Sequence, residues 1–188
     1  QGLVGSEMCI RDSHNILNAT ASIIAAKLNG IKDKDINNAL TNYVGVKRRF
    51  SFIGKKNKSF VYDDYAHHPT EIAATLSAAK SLKNKVIVVF QPHRYTRTKI
   101  LIREFIKVLS KVDYLFLLET YSAGEKIIKG ATSKDIYSKI LKKNKNTIYL
   151  KNIGDLNKLM KPYTLHQNTI VFMGAGSISS IAKKYLNN

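Results

Sequence analysis

The feature that most limits what this chain can fold into is a recurring alternation of short, continuously apolar runs with segments of helical spacing. Lys85–Phe90 (Lys-Val-Ile-Val-Val-Phe), Tyr114–Leu118 (Tyr-Leu-Phe-Leu-Leu) and 169–173 (Thr-Ile-Val-Phe-Met) are apolar nearly throughout, without polar alternation. A strand with both faces apolar belongs in a parallel sheet covered on both sides. Phe60-Val61-Tyr62, ending at Asp63-Asp64, and Thr147–Leu150 extend the series. Helices are expected from Pro69, around 101–109, near 134–141, near 155–160 and after Gly176. Pro69 suits a first helical position, and Glu71 would lie at the positive end of that helix. The predicted fold class is α/β: a Rossmann-like, mostly parallel sheet with helices on both faces.

Two stretches precede this pattern. Residues 1–13 read as foreign to the rest, resemble translated sequencing-adapter read-through, and are set aside as a non-native segment. Residues 14–45 are expected to be helical. Ile16, Leu17, Ala21, Ile24 and Leu28 recur at helical spacing before Gly30, and a second helix from Asp33 to about Tyr43 carries Ile36 and Leu40 on one face. Gly45 marks a break, after which residues 46–188 form the α/β domain.

The chain has 31 Lys+Arg against 13 Asp+Glu, a net charge of +18, which favours anionic partners: nucleic acid, a membrane surface or phosphorylated small molecules. Much of the excess is solvated lysine, as in Lys55-Lys56-Asn57-Lys58 and Lys142-Lys143-Asn144-Lys145. Hydrophobic residues at 44% supply a real core. The single cysteine, Cys9, excludes an internal disulfide framework and a Cys-rich zinc site, and suits a cytoplasmic location. With no apolar run of about 18 residues, membrane insertion is not expected.

In open α/β sheets, ligands bind beyond the carboxyl ends of the strands. The unusual polar residues gather there: Asp63-Asp64-Tyr65-Ala66-His67-His68-Pro69, Gln91-Pro92-His93-Arg94-Tyr95-Thr96-Arg97, Glu119-Thr120-Tyr121-Ser122-Ala123-Gly124-Glu125, and Gly174-Ala175-Gly176-Ser177. Asp63 or Asp64 could instead cap the helix at Pro69. His67-His68 lacks the spacing of a helical metal pair, and no metal site is expected. Arg94 and Arg97 are either surface charges or a pair converging on an anion. Gly174 and Gly176 fit a phosphate-cradling turn or simply close strand–helix packing. No Gly-x-x-x-x-Gly-Lys-Ser/Thr phosphate loop occurs.

Taken in order, His14-Asn15-x-x-Asn18, Lys47-Arg48-Arg49-Phe50, the Asp63–Glu71 segment, Phe90-Gln91-Pro92-His93-Arg94-Tyr95-Thr96-Arg97-Thr98, Tyr121-x-Ala123-Gly124-Glu125 and Gly174-Ala175-Gly176 closely resemble the UDP-N-acetylmuramate–L-alanine ligases of the Mur ligase family. The family resemblance implies three domains, of which residues 14–45 would be the tail of the central ATPase domain and 46–188 the complete C-terminal domain. It also implies ATP and Mg2+, with the magnesium ligands mainly in a missing upstream domain. UDP-N-acetylmuramate and L-alanine would be the substrates, joined through an acyl phosphate.

By that resemblance His14, Asn15 and Asn18 would lie on the adenine and ribose side, and Arg49 and Asp64 would hold nucleotide. Tyr65, His67 and His68 would face the junction where the acyl phosphate forms. His93, Arg94 and Arg97 would meet the alanine carboxylate or the transferring phosphate. Ser177 departs from the family's usual aspartate, and Glu119-Thr120 from its commoner apolar residues. The competing readings are a sister ligase that adds a recycled peptide and a basic nucleic-acid-binding domain. No nucleic acid is expected as partner, and the fragment alone is expected to be inactive.

Overall fold

The structure, a computed structural model, describes residues 13–43 and 46–187. Gln1–Lys47 and Arg48–Asn188 form separate compact units. The expectation for residues 1–13 and the break at Gly45 fall, but for Ser13, outside the described residues.

The first unit contains helices α1 (Ser13–Leu28) and α2 (Asp33–Thr41). Ile36 is buried, whereas Ile16, Leu17, Ile24 and Leu28, the residues at apolar helical spacing, are exposed. Asp33 and Asp35 stand in the first turn of α2, where carboxylates oppose the helix dipole favourably.

The second unit is built on a six-stranded sheet in the order β1-β2-β6-β3-β4-β5. Its strands are β1 (Ser51–Lys56), β2 (Ser59–Asp64), β3 (Lys85–Phe90), β4 (Tyr114–Leu118), β5 (Thr147–Leu150) and β6 (Asn168–Met173). All neighbours from β2 to β5 are parallel; β1 alone pairs antiparallel, with a bulge between Phe52 and Gly54. The helices are α3 (Pro69–Ser81), α4 (Tyr95–Ile100), α5 (Ile102–Leu109), α6 (Ser133–Ile140), α7 (Leu156–Thr164) and α8 (Ile178–Asn187).

Alternation of side chains across the strands divides the core into two layers. Val61, Ile87, Val89, Phe116, Ile170 and Phe172 pack with Leu156, Met160, Ile178 and Ala182 of α7 and α8. On the other face Phe90 meets Phe105 of α5 with ring centroids 5.8 Å apart. Ile72, Leu76 and Ala79 of α3 and Ile136 and Ile140 of α6 are also buried. The expected α/β architecture with both faces covered is therefore observed.

Candidate active site

β2, β6, β3 and β4 are consecutive neighbours in the sheet, so the polar loops that follow them form one edge. An aromatic row runs across it. Tyr65 and His67 meet edge-on at 5.1 Å, His67 and His93 at 5.9 Å, and His93 stacks on Tyr121 at 5.5 Å with an interplanar angle of 10°.

Asp64 ends β2 and is buried. Its carboxylate accepts from the N–H of Phe50 at 2.7 Å and of Ala66 at 2.6 Å. Burial pushes the Asp64 carboxyl up; these bonds, Thr75 and the Arg49 charge oppose that shift. Neither Asp63 nor Asp64 caps α3, so the capping alternative for this pair does not hold. His68 is the N-cap: its Nδ1 accepts from Thr70 N–H at 3.4 Å, while Glu71 reaches back to complete a capping box. The Glu71 carboxylate accepts from the N–H of His67 at 3.0 Å and of His68 at 3.1 Å. His67 Nδ1 lies 2.8 Å from the Tyr65 carbonyl. Asp63 accepts from Ser179 Oγ at 2.6 Å, joining β2 to α8.

After β3 the chain turns sharply, with Arg94 at φ 70° at the start of α4. The turn is held because Arg94 N–H donates to the Tyr121 carbonyl at 2.9 Å and Tyr121 N–H donates to the Pro92 carbonyl at 2.8 Å. One helical turn brings Arg97 Nη1 to 3.3 Å from His93 Nδ1. Arg94 stays half-exposed, 4.0 Å from Glu125. Glu125, left without a role by sequence, accepts from Thr96 N–H at 3.0 Å and from Thr96 Oγ1 at 2.6 Å. Burial holds the His93 imidazole below its usual range, reinforced by Arg97, His67 and Arg94 and opposed by Glu125. A neutral imidazole beside the Arg97 guanidinium can accept a hydrogen bond while the arginines hold an anion.

Gly174 and Gly176 stand where backbone and ring approach closely. A Cβ on Gly174, at φ 149°, would lie 2.7 Å from the Gln91 carbonyl oxygen. Ser177 Oγ and the Gln91 amide lie 3.3 Å apart, linking the loops after β6 and β3. At the β4 end, the Tyr149 hydroxyl donates to Glu119, and Thr120 Oγ1 lies 2.8 Å from Ser133 Oγ.

Arg48, quoted within the Lys47–Phe50 motif but given no role by it, spans the ends of β2 and β6. Its Nη2 donates to the Gly174 carbonyl at 2.7 Å, and its Nε lies 3.5 Å from Asp63. Its neighbour Arg49 is exposed, and its charge acts on both Asp64 and Glu71. No motif announces Arg48's direction; it follows from a positive φ. His14, Asn15 and Asn18 lie on α1, in the other unit. Asn18 is exposed, and the side chains of His14 and Asn15 lie outside the described residues.

The edge thus gathers Tyr65, His67, His93, Arg94 and Arg97 with Arg49 nearby, while His68 and Asp64 are engaged by the chain's own backbone. A depression of about 350 Å³ bounded by Lys85, Lys111, Asp113, Lys143 and Asn146 lies at the opposite end, where β3 and β4 begin. Among the described residues, no three His, Cys, Asp or Glu side chains are grouped as metal ligands. None of the described helices is long and apolar enough to cross a membrane.

An α/β domain with a cationic, histidine-bearing edge at its strand ends is an architecture of enzymes that handle phosphate and carboxylate groups. The chain belongs to the Mur ligase family: residues 48–176 match the model described as Mur ligase, glutamate ligase domain. It is 41% identical over 174 residues to a UDP-N-acetylmuramate–L-alanine ligase of Carboxydothermus hydrogenoformans, and 43% identical over 186 residues to one of Buchnera aphidicola. Each alignment covers 92% of this chain, which spans only 38% of those curated relatives. The solved UDP-N-acetylmuramate–alanine ligase from Thermotoga maritima superposes with a TM-score of 0.73 at 29% identity, covering 94% of this chain and 37% of that one. A murein peptide ligase from Psychrobacter arcticus gives 0.70 at 26% identity, covering 93% and 36%.

Proposed function

We propose that this chain is the C-terminal part of a cytoplasmic ligase that joins L-alanine to UDP-N-acetylmuramate at the expense of ATP. The observation that carries the reading is the single edge on which His93, Arg94 and Arg97 lie beside His67 and Tyr65. In the proposed reaction the muramoyl carboxylate attacks the γ-phosphate of ATP, forming an acyl phosphate and releasing ADP. The alanine amine then attacks the carbonyl, and phosphate leaves from the tetrahedral intermediate. The reactants are anionic, so the protein's task is to hold negative groups together and exclude water from the acyl phosphate.

Arg97 and Arg94 are assigned to the alanine carboxylate or the transferring phosphate, because a guanidinium fork matches both. His93, kept neutral by its surroundings, is placed beside the incoming amine. Tyr65 and His67 face the acyl phosphate, and His68 serves this loop by capping α3. Arg49 is assigned to nucleotide phosphate; Asp64 acts through the loop that its carboxylate braces. His14, Asn15 and Asn18 are assigned to the adenine and ribose. The magnesium ligands are assigned mainly to the upstream domain, and no step is derived through the ion.

The test is to express the chain with the reading frame upstream of it and follow alanine-dependent phosphate release with UDP-N-acetylmuramate and ATP. The proposal expects turnover from the longer protein and none from the 188-residue chain. A longer protein that lacks alanine-dependent release would refute it.

A further inference from the structure

We propose that Arg48 is a positioning residue that sets the direction of Arg49 by stapling the entry to β1 onto the ends of β2 and β6. The functional part of this inference rests on the assignment of Arg49 to nucleotide phosphate.

Two adjacent arginines here have opposite environments. Arg48 is partly buried, its guanidinium donating to the Gly174 carbonyl at 2.7 Å and lying 4.7 Å above the Tyr65 ring. Its Nε faces Asp63 at 3.5 Å, a charge contact without a hydrogen bond. Its carbonyl accepts from Tyr65 N–H at 2.7 Å. On the other side of Arg49, Phe50 N–H donates to Asp64 at 2.7 Å, and the Phe50 ring stacks on Tyr62 at 4.4 Å and 5°.

Arg48 and Phe50 adopt φ values of 63° and 44°. Side-chain-bearing residues rarely adopt such values, and they persist where surrounding contacts over-determine them. With both neighbours turned inward and pinned, Arg49 is left exposed with its charge acting on Asp64 and Glu71. Lysine could keep a charge contact with Asp63, but it lacks the planar fork that also reaches the Gly174 carbonyl and covers Tyr65. Arg48 therefore ties the loop carrying Tyr65, the β6 turn and the Arg49 backbone into one piece.

Amide hydrogen exchange on the 188-residue chain tests the staple directly, with Arg48→Lys and Arg48→Met compared with the parent. The Tyr65 and Phe50 amides are expected to exchange about tenfold faster or more in both variants, while the central Val88 amide is unchanged. Unchanged exchange at Tyr65 and Phe50 would overturn the staple. In the longer ligase, Arg48→Met and Arg49→Ala are each expected to raise the ATP KM about tenfold, with the double variant no worse than Arg49→Ala alone. Independent, multiplying effects would overturn action through Arg49. If Arg49→Ala alone leaves ATP use intact, the nucleotide assignment of Arg49 fails, and action of Arg48 through it fails with it; the exchange result then still decides the staple.

Discussion

Gly176 and Tyr121 share one small space: a Cβ on Gly176 would lie 2.6 Å from Tyr121 Cγ and 2.8 Å from Gln91 Oε1. The glycine is therefore set by the ring that leans on it, and that ring in turn stacks on His93.

Gly176→Ala is expected to displace Tyr121, separate it from His93 and cost about 1–3 kcal/mol of stability by overcrowding. Removing the ring relieves the 2.6 Å contact but leaves Tyr121 Cβ at 2.9 Å and Gln91 Oε1 at 2.8 Å, so Gly176→Ala should cost clearly less in a Tyr121→Ala background than in the parent. Denaturant unfolding of the three variants checks this. A fully additive double variant would show that the clash is not the cause.

The Glu71 carboxylate is raised by burial, but the N–H groups of His67 and His68 and the charges of His67 and Arg49 bring it below the usual glutamate range. The unfolded chain then binds a proton at a higher pH than the folded one. The contribution is thus fully present above the ordinary glutamate value and is lost as pH falls through the depressed folded value. Thermal melts across the acidic range should show this loss, and Glu71→Gln should flatten it. An identical acid profile for the variant would count against the role given to Glu71.

His93 should stay neutral to a lower pH than an ordinary imidazole, because burial and then Arg97 disfavour its charge. Stability from this residue is present above the ordinary imidazole range and declines as pH falls toward the folded value. NMR titration should place the His93 midpoint below that range, and Arg97→Ala should move it upward. No movement would show that Arg97 does not act on this ring.

The parallel part of the sheet was legible because β3, β4 and β6 are apolar on both faces, a pattern few other folds accommodate. β1 was not. Ser-Phe-Ile-Gly-Lys-Lys mixes polar, glycine and lysine residues, and it forms a strand because β2 offers a free edge and Leu186 packs 3.3 Å from the position of a Gly54 Cβ. The polar strand-end loops were legible as a group, since loops need no arginine or histidine to turn. What each side chain does within them depended on backbone direction. Asp64 caps nothing because the chain bends its carboxylate toward Phe50 and Ala66. His68 takes the cap because its ring can accept, which a search for Ser, Thr, Asp or Asn misses. Arg48 and Arg49 are equivalent as letters and are separated only by the positive φ of the turn that carries them.

The most direct measurement is steady-state kinetics of the longer ligase carrying Arg97→Lys, with ATP and L-alanine varied separately. A lysine keeps the charge but loses the fork. The account predicts that the alanine KM rises about tenfold or more while the ATP KM changes little. Equal effects on both substrates, or no effect on alanine, would contradict the placement of the amino acid at the His93–Arg97 end of this edge.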